Sequence, residues 1–292
     1  MPPRSRAQAL SPKVSNAVPM PKLKKVMFAA AVEASQILLK HFGKIDKVIK
    51  KGETDLVTIA DKQSEAVIIR CIRDAFPDHG ILGEESGQVE GGEDSDFCWV
   101  VDPLDGTTNF AHSVPIFSIS IAVTYKGKIQ MGLVADVPRG EWYFAQLGGG
   151  AFVYKRQDNK FAPAKRIQVS QAKTLGDSLI ITGFPHSRRE HADKLLRGLR
   201  AMFMTSRGIL RLGSAAIDLC WVACGRGDAF YEPHLQPWDI AAGALIVREA
   251  GGKATEFDGK TIEKPGHNVM ATNGFIHKEL LREVCGAWDE GK

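Results

Sequence analysis

No stretch of the 292 residues is apolar for the roughly 18–20 positions a helix needs to cross a bilayer, and no apolar segment with a small-residue cleavage site opens the chain. These absences predict a protein with no membrane partner, acting in the cytoplasm. Cysteine is scarce. Cys71, Cys98, Cys220, Cys224 and Cys285 are odd in number and hold no CxxC pair, which argues against a disulfide framework or a zinc ribbon and predicts reduced thiols. Cys220 and Cys224 could share a helix face, but no histidine pair stands beside them to complete a zinc site. The eight histidines include no HxxxH pair, and no internal repeat is present. Net charge is small as well, at +4. The first 25 residues carry six basic side chains and no acid, so the remainder stands at −2. A nearly neutral body argues against nucleic acid as the main partner.

What is present is an ordinary globular composition, 44% hydrophobic and 25% charged, in a chain long enough for a sizeable core. Residues 1–21 mix Pro, Ser and Ala without an apolar period, which predicts a disordered extension, with Met20 a candidate alternative start. From Leu23 apolar residues recur every three or four positions to Gly43, the mark of an amphipathic helix. A second helix is expected from Asp61, read as its N-cap, to Phe76, stopped by Pro77. After Gly80 the pattern turns to strands: "ILG", "FCWVV", "IFSISIAVTY", "KIQMGLVAD" and "EWYFAQ", with a Lys126-Gly127 turn, in a mostly antiparallel sheet. From about Ser170 strands and helices alternate. The order predicts an α+β half over 22–165 and an α/β half over 166–292, with helical layers between and outside two sheets.

The informative acids sit at element ends. Asp61 follows "DLVTIA", Glu84 and Glu85 follow "ILG", Asp102 and Asp105 flank Pro103-Leu104, and Asp239 opens "WDIAAG". Carboxylates at such positions gather at the rim of a sheet, where ligands bind. Asp102 and Asp105 would repel each other unless a cation neutralises them, and an all-oxygen cluster suits a hard ion such as Mg²⁺. In "DGTTNF", Gly106 permits close backbone approach, and a helical turn opening at Thr107 would aim its N–H groups at an anion. A metal cluster facing an amide nest and a threonine hydroxyl is the apparatus of phosphoryl transfer to water. Each piece alone has a plainer reading: "DPLDG" is a common turn, "GEES" an acidic loop, Asp239 a helix cap and Glu232 a surface ion-pair partner.

Taken together, "DLVTIAD" (55–61), "GEES" (83–86), "WVVDPLDGTTNF" (99–110), "GSAAIDLCWVACGRGDAFYE" (213–232) and "WDIAAG" (238–243) resemble, in order, the motifs of the inositol monophosphatase family, over about Leu23 to Cys285. The resemblance implies a lithium-sensitive, magnesium-dependent sugar phosphatase with the layered helix–sheet sandwich of the inositol monophosphatase and fructose-1,6-bisphosphatase type, commonly dimeric. It implies that Glu84, Asp102, the Leu104 carbonyl, Asp105 and Asp239 bind two or three Mg²⁺ ions. Thr107 with Glu84 would orient the attacking water for in-line attack, Asp61 would support Thr107, and the amides of Gly106 and Thr107 would hold phosphate. Glu232, Ser214 and Ala215 fall where members contact the polyol. Thr108 and Asn109, where bisphosphonucleotide and histidinol-phosphate relatives more often carry lysine after "DGT", favour inositol-type sugar monophosphates. Fructose 1,6-bisphosphate, histidinol phosphate, or a regulatory, RNA-associated role are the alternatives. One departure concerns the arginine that many members carry three places before Gly213, where this chain has Leu210, with Arg211 one position later.

Overall fold

A computed structural model describes residues 20–44, 48–50, 56–89, 95–157, 160–264 and 267–289. Helix α1 (Met20–His41) leads to a short antiparallel ribbon, β1 (Val48–Lys50) with β2 (Leu56–Thr58), and then to α2 (Ile59–Ala75). The predicted extension over 1–21 lies outside the described residues except at its end, where Met20 and Pro21 already belong to α1. Proline is tolerated there because the N–H it lacks has no partner in a first helical turn. The start of α2 also differs from expectation. Thr58 is the N-cap, its hydroxyl accepting from Ala60, and Asp61 sits at N3, closing a capping box.

Strands β3 (Gly80–Gly83), β4 (Gly87–Val89) and β5 (Phe97–Asp105) precede a single helical turn, α3 (Thr107–Ala111). There follow β6 (Ser118–Tyr125), β7 (Lys128–Asp136), β8 (Glu141–Gln146), β9 (Gly150–Gln157), β10 (Lys160–Phe161) and β11 (Lys165–Arg166). These build one sheet in the order β10-β9-β8-β7-β6-β5-β3-β4, with β11 also on β9. It is antiparallel except between β3 and β5. Lys126 and Gly127, both at positive φ, make the two-residue turn between β6 and β7.

The second half supplies β12 (Leu179–Thr182), α4 (Ala192–Thr205), β13 (Gly208–Leu210), α5 (Ala215–Ala223), β14 (Ala229–Glu232), α6 (Pro237–Glu249), β15 (Lys253–Thr255), β16 (Val269–Thr272) and α7 (His277–Asp289). Its sheet runs β13-β12-β14-β16-β15, parallel through β13, β12 and β14 and antiparallel beyond.

Five layers result. α1 and α2 cover one face of the large sheet through Met27, Leu38, Ile68 and Ile72. α5 and α6 fill the space between the two sheets with Leu219, Cys220, Ala241, Leu245 and Ile246. α4 and α7 cover the outer face of the small sheet through Met202, Leu280 and Val284. This is the alternating sandwich the sequence predicts. Covered on both faces, β5, β6 and β7 read as nearly continuous apolar runs, and Trp99, Ile119, Ile121 and Leu133 have no exposed surface. Both α5 and α6 are apolar nearly all round for the same reason.

Candidate active site

The two aspartates that flank Pro103-Leu104 are three residues apart on β5, and side chains three apart on a regular strand point to opposite faces. Here Asp102 stands opposite Ser120 of β6 and Asp105 opposite Ser118, so three steps on β5 match two on its partner. The extra residue is a bulge, and it turns both carboxyls into one cavity. Proline, with no N–H to donate, fits a bulge. Its carbonyl accepts from Ser64 Oγ of α2 at 2.9 Å, and the Leu104 N–H donates to Asp102 Oδ1 at 2.9 Å.

The chain leaves the bulge through Gly106, at φ 96° and ψ 35°. That left-handed conformation favours glycine, and a Cβ there would also press on the Ile116 carbonyl at 3.0 Å. Gly106 is the N-cap of α3 without any side-chain cap, so Thr107 occupies the first helical position and does not cap the helix. Its hydroxyl points back instead, with Leu104 O at 3.0 Å and Asp61 Oδ1 at 3.1 Å as acceptors. Asp61 is fully buried, and its other oxygen accepts from the Thr58 N–H and hydroxyl. Burial raises its pKa, and the Thr58 and Thr107 donors oppose that rise.

Three further segments close the site. Glu84 follows β3, its N–H held by the Val101 carbonyl at 3.1 Å, and the next N–H, of Glu85, is fixed by Glu65 of α2 at 3.0 Å. Asp239 lies at N3 of α6, bonded to the Gln236 N–H, while Ser120 Oγ ties the preceding Trp238 carbonyl to β6. It therefore caps its helix and lines the cavity at once. The start of α5 meets Asp105 directly: Ser214 Oγ donates to Oδ2 at 2.6 Å and the Ala216 N–H at 2.8 Å. Glu232, the last residue of β14, is buried beside Arg211.

The cavity of about 400 Å³ gathers Glu84, Asp102, Leu104, Asp105, Gly106, Thr107, Ser214, Ala215, Glu232 and Asp239. Of the residues predicted for the site, only Asp61 stands behind the wall, touching the cavity through Thr107. The acids are crowded. Burial, then the charges of Glu84, Asp105 and Asp239, hold Asp102 well above the usual carboxylate range. Burial raises Asp105 against its hydroxyl and amide donors. Burial and then Asp105 push Asp239 up to about 8. Burial likewise pushes Glu232 to about 8, with Arg211 opposing. Among the described residues no three Asp, Glu, His or Cys side chains are already set around a single metal position. The donors are nevertheless all oxygen, mutually repelling and confined, and that chemistry fits a hard divalent cation.

Several lining residues escape the sequence reading. Gly183, Phe184, Pro185, His186 and Ser187 follow β12, and His234 and Gln236 follow β14. Their signal was positional, since each run follows the C-terminal end of a strand, as "DGTT" follows β5. Arg211, two places before Gly213, brings its guanidinium to this cavity. Asp218, in the middle of apolar α5, is buried with no hydrogen-bond partner for either oxygen among the described residues, and burial holds its pKa well up.

Residues 20–289 match the inositol monophosphatase family. The chain belongs to that family. It is 42% identical over 264 residues to an inositol-1-monophosphatase of Mesorhizobium japonicum, covering 90% of this chain and 96% of the relative. It is 40% identical over 272 residues to Nus factor SuhB of Pseudomonas aeruginosa, covering 91% and 96%. A crystal structure of the extragenic suppressor protein suhB from Bartonella henselae superposes with a TM-score of 0.82 at 39% identity, covering 92% of this chain and 99% of that one. Inositol monophosphatase membership and the layered fold thus agree with the motif reading. Names among the relatives divide between inositol-1-monophosphatase and Nus factor SuhB. Among the described residues no helix is long and apolar enough to cross a membrane.

Proposed function

We propose that this inositol monophosphatase family member is a Mg²⁺-dependent phosphomonoesterase that hydrolyses inositol monophosphate or a related sugar phosphate by in-line attack of water. The observation that carries the reading is the single cavity in which four crowded carboxyls face the first turn of α3. Two or three Mg²⁺ ions, held by Glu84, Asp102, the Leu104 carbonyl, Asp105 and Asp239, would neutralise the acids and supply the Lewis-acid chemistry of phosphoryl transfer. The chain's own residues do the rest. The Gly106 and Thr107 amides hold phosphate, while the Thr107 hydroxyl and Glu84 orient the water and Asp61 holds Thr107 in place. The hydroxyls of the leaving group meet Glu232, with Ser214 and Ala215 beside it.

The same reading carries a homodimer and lithium inhibition, each taken from the family resemblance, together with a cytoplasmic location. The test is phosphate release from inositol phosphate, fructose 1,6-bisphosphate, histidinol phosphate and adenosine bisphosphate, with and without Mg²⁺, and over a millimolar lithium series against sodium. Mg²⁺-dependent turnover with inositol phosphate preferred is the expected result. No turnover on any of the four removes the reading. The relatives named Nus factor SuhB favour a second role, association with the transcription apparatus. Nucleic-acid binding that weakens steeply with salt would support it, and hydrolysis should be unaffected by that binding.

A further inference from the structure

Thr182 of β12 pairs with Tyr231 of β14, so the residues that follow, Gly183 and Glu232, lie side by side where the two parallel strands enter the cavity. There is no room for a side chain at 183. A Cβ there would stand 1.8 Å from Glu232 Oε2, 2.3 Å from Cδ and 2.7 Å from Oε1. All three atoms of the carboxyl are too close, so the group lies against the backbone of residue 183. The strands cannot spread to make space, because Thr182 Oγ1 donates to the Tyr231 carbonyl at 3.0 Å just before this point. Nor can Glu232 swing out to solvent, being only 7% exposed.

We infer that Gly183 is a positioning residue for polyol recognition: by lacking a side chain it lets the Glu232 carboxyl lie back against β12, which sets how deep a hydroxyl-bearing ring enters the cavity. The inference rests on the polyol-phosphate reading above. A methyl at 183 drives the carboxyl forward by roughly 1.5 Å to regain ordinary contact, into space the ring would occupy. Displacements of about that size cost on the order of 10²-fold where a bound geometry must be held. Glu84, Asp102, Asp105 and α3 lie on or beside β3 and β5 of the large sheet and Asp239 on α6, none of them on β12, so the phosphate end stays where it is. Gly183→Ala therefore separates hydroxyl recognition from phosphate handling.

The experiment measures kcat/KM with Mg²⁺ for inositol 1-phosphate and for 4-nitrophenyl phosphate, which offers no hydroxyls, in wild type, Gly183→Ala, Glu232→Asp and the double variant. The ratio of the two substrates cancels differences in folded fraction. Gly183→Ala should lower the ratio about tenfold or more, chiefly through KM for inositol phosphate. The double variant, whose shorter carboxylate leaves space for the methyl, should recover about threefold or more of that loss. An unchanged ratio in Gly183→Ala, or a double variant no better than Gly183→Ala, overturns the inference. Should Gly183→Ala not fold, the double variant is compared with Glu232→Asp: ratios within about twofold support the inference, and a further drop overturns it. A wild type that hydrolyses neither ester defeats the phosphatase reading instead. Calorimetric titration with inositol 1-phosphate then decides: binding weakened about tenfold by Gly183→Ala sustains the inference, and equal binding or none overturns it.

Discussion

Replacing Thr107 by alanine removes one hydroxyl and leaves the backbone N–H that the phosphate would use. The hydroxyl has a single proton and two acceptors, Leu104 O at 3.0 Å and Asp61 Oδ1 at 3.1 Å. Its loss leaves Asp61 bonded to Thr58, and a partly buried hydrogen bond of this kind is worth about 1 kcal/mol. In a protein of this size that is a fall in Tm of about 1.5–2 °C. The kinetic consequence is larger if the hydroxyl orients the nucleophile. Orientation is expressed in the transition state, so kcat should fall roughly 10²-fold or more while KM changes little. Thr107→Ser keeps the hydroxyl and should retain kcat within about threefold, which separates chemistry from packing. Steady-state phosphate release and a melting curve on the two variants are sufficient. Wild-type kcat in Thr107→Ala with a lowered Tm would refute the reasoning and leave the hydroxyl as a brace between α3 and α2.

Three other outcomes are expected. Asp105→Asn keeps an oxygen for Ser214 and Ala216 but removes a charge from the crowded acids, so Mg²⁺-dependent turnover should collapse while the Mg²⁺-free Tm rises by about 2 °C; retained turnover contradicts the ligand role. Glu232 and Asp239 titrate near 8 in the folded protein, above their values of 4.5 and 3.8 in an unfolded chain, so the stability they confer is full at low pH and lost as pH rises toward 8. The Tm gain on adding Mg²⁺ should therefore grow from pH 5.5 to 8, and a constant gain is the contrary result. His277 is the opposite case, a buried ring between Thr255 and Thr272 that burial holds down to about 4. Its unfolded form takes a proton near 6.5, so stability on the order of 2 kcal/mol is lost between pH 6.5 and 4. His277→Gln should be less acid-sensitive than wild type by that amount in denaturant titrations, and equal sensitivity would reject the linkage.

By itself the sequence determined the layers and the acids that line the cavity. The 3.6-residue period of α1, the apolar runs of β5 to β7 and the later alternation of strands and helices were legible because each element buries a face, and burial leaves its period in the sequence. The acids at strand ends were legible for the complementary reason: a carboxyl placed where a buried strand stops lies at the rim of the sheet, where ligands bind. What the sequence could not contain was which ends meet. Asp102 and Asp105 share a face only because the pairing with β6 slips by one residue, and nothing in "DPLD" records the partner. Asp61 became the support of Thr107 rather than the cap of α2 because Thr58, three residues earlier, took the cap. Gly183 carries only the positional signal of a strand end, and Asp218 carries none. Gly183 meets Glu232 through the pairing of β12 with β14, and Asp218 meets Asp105 through the packing of α5 against the large sheet; contacts between residues so far apart in the chain are set only by the tertiary structure.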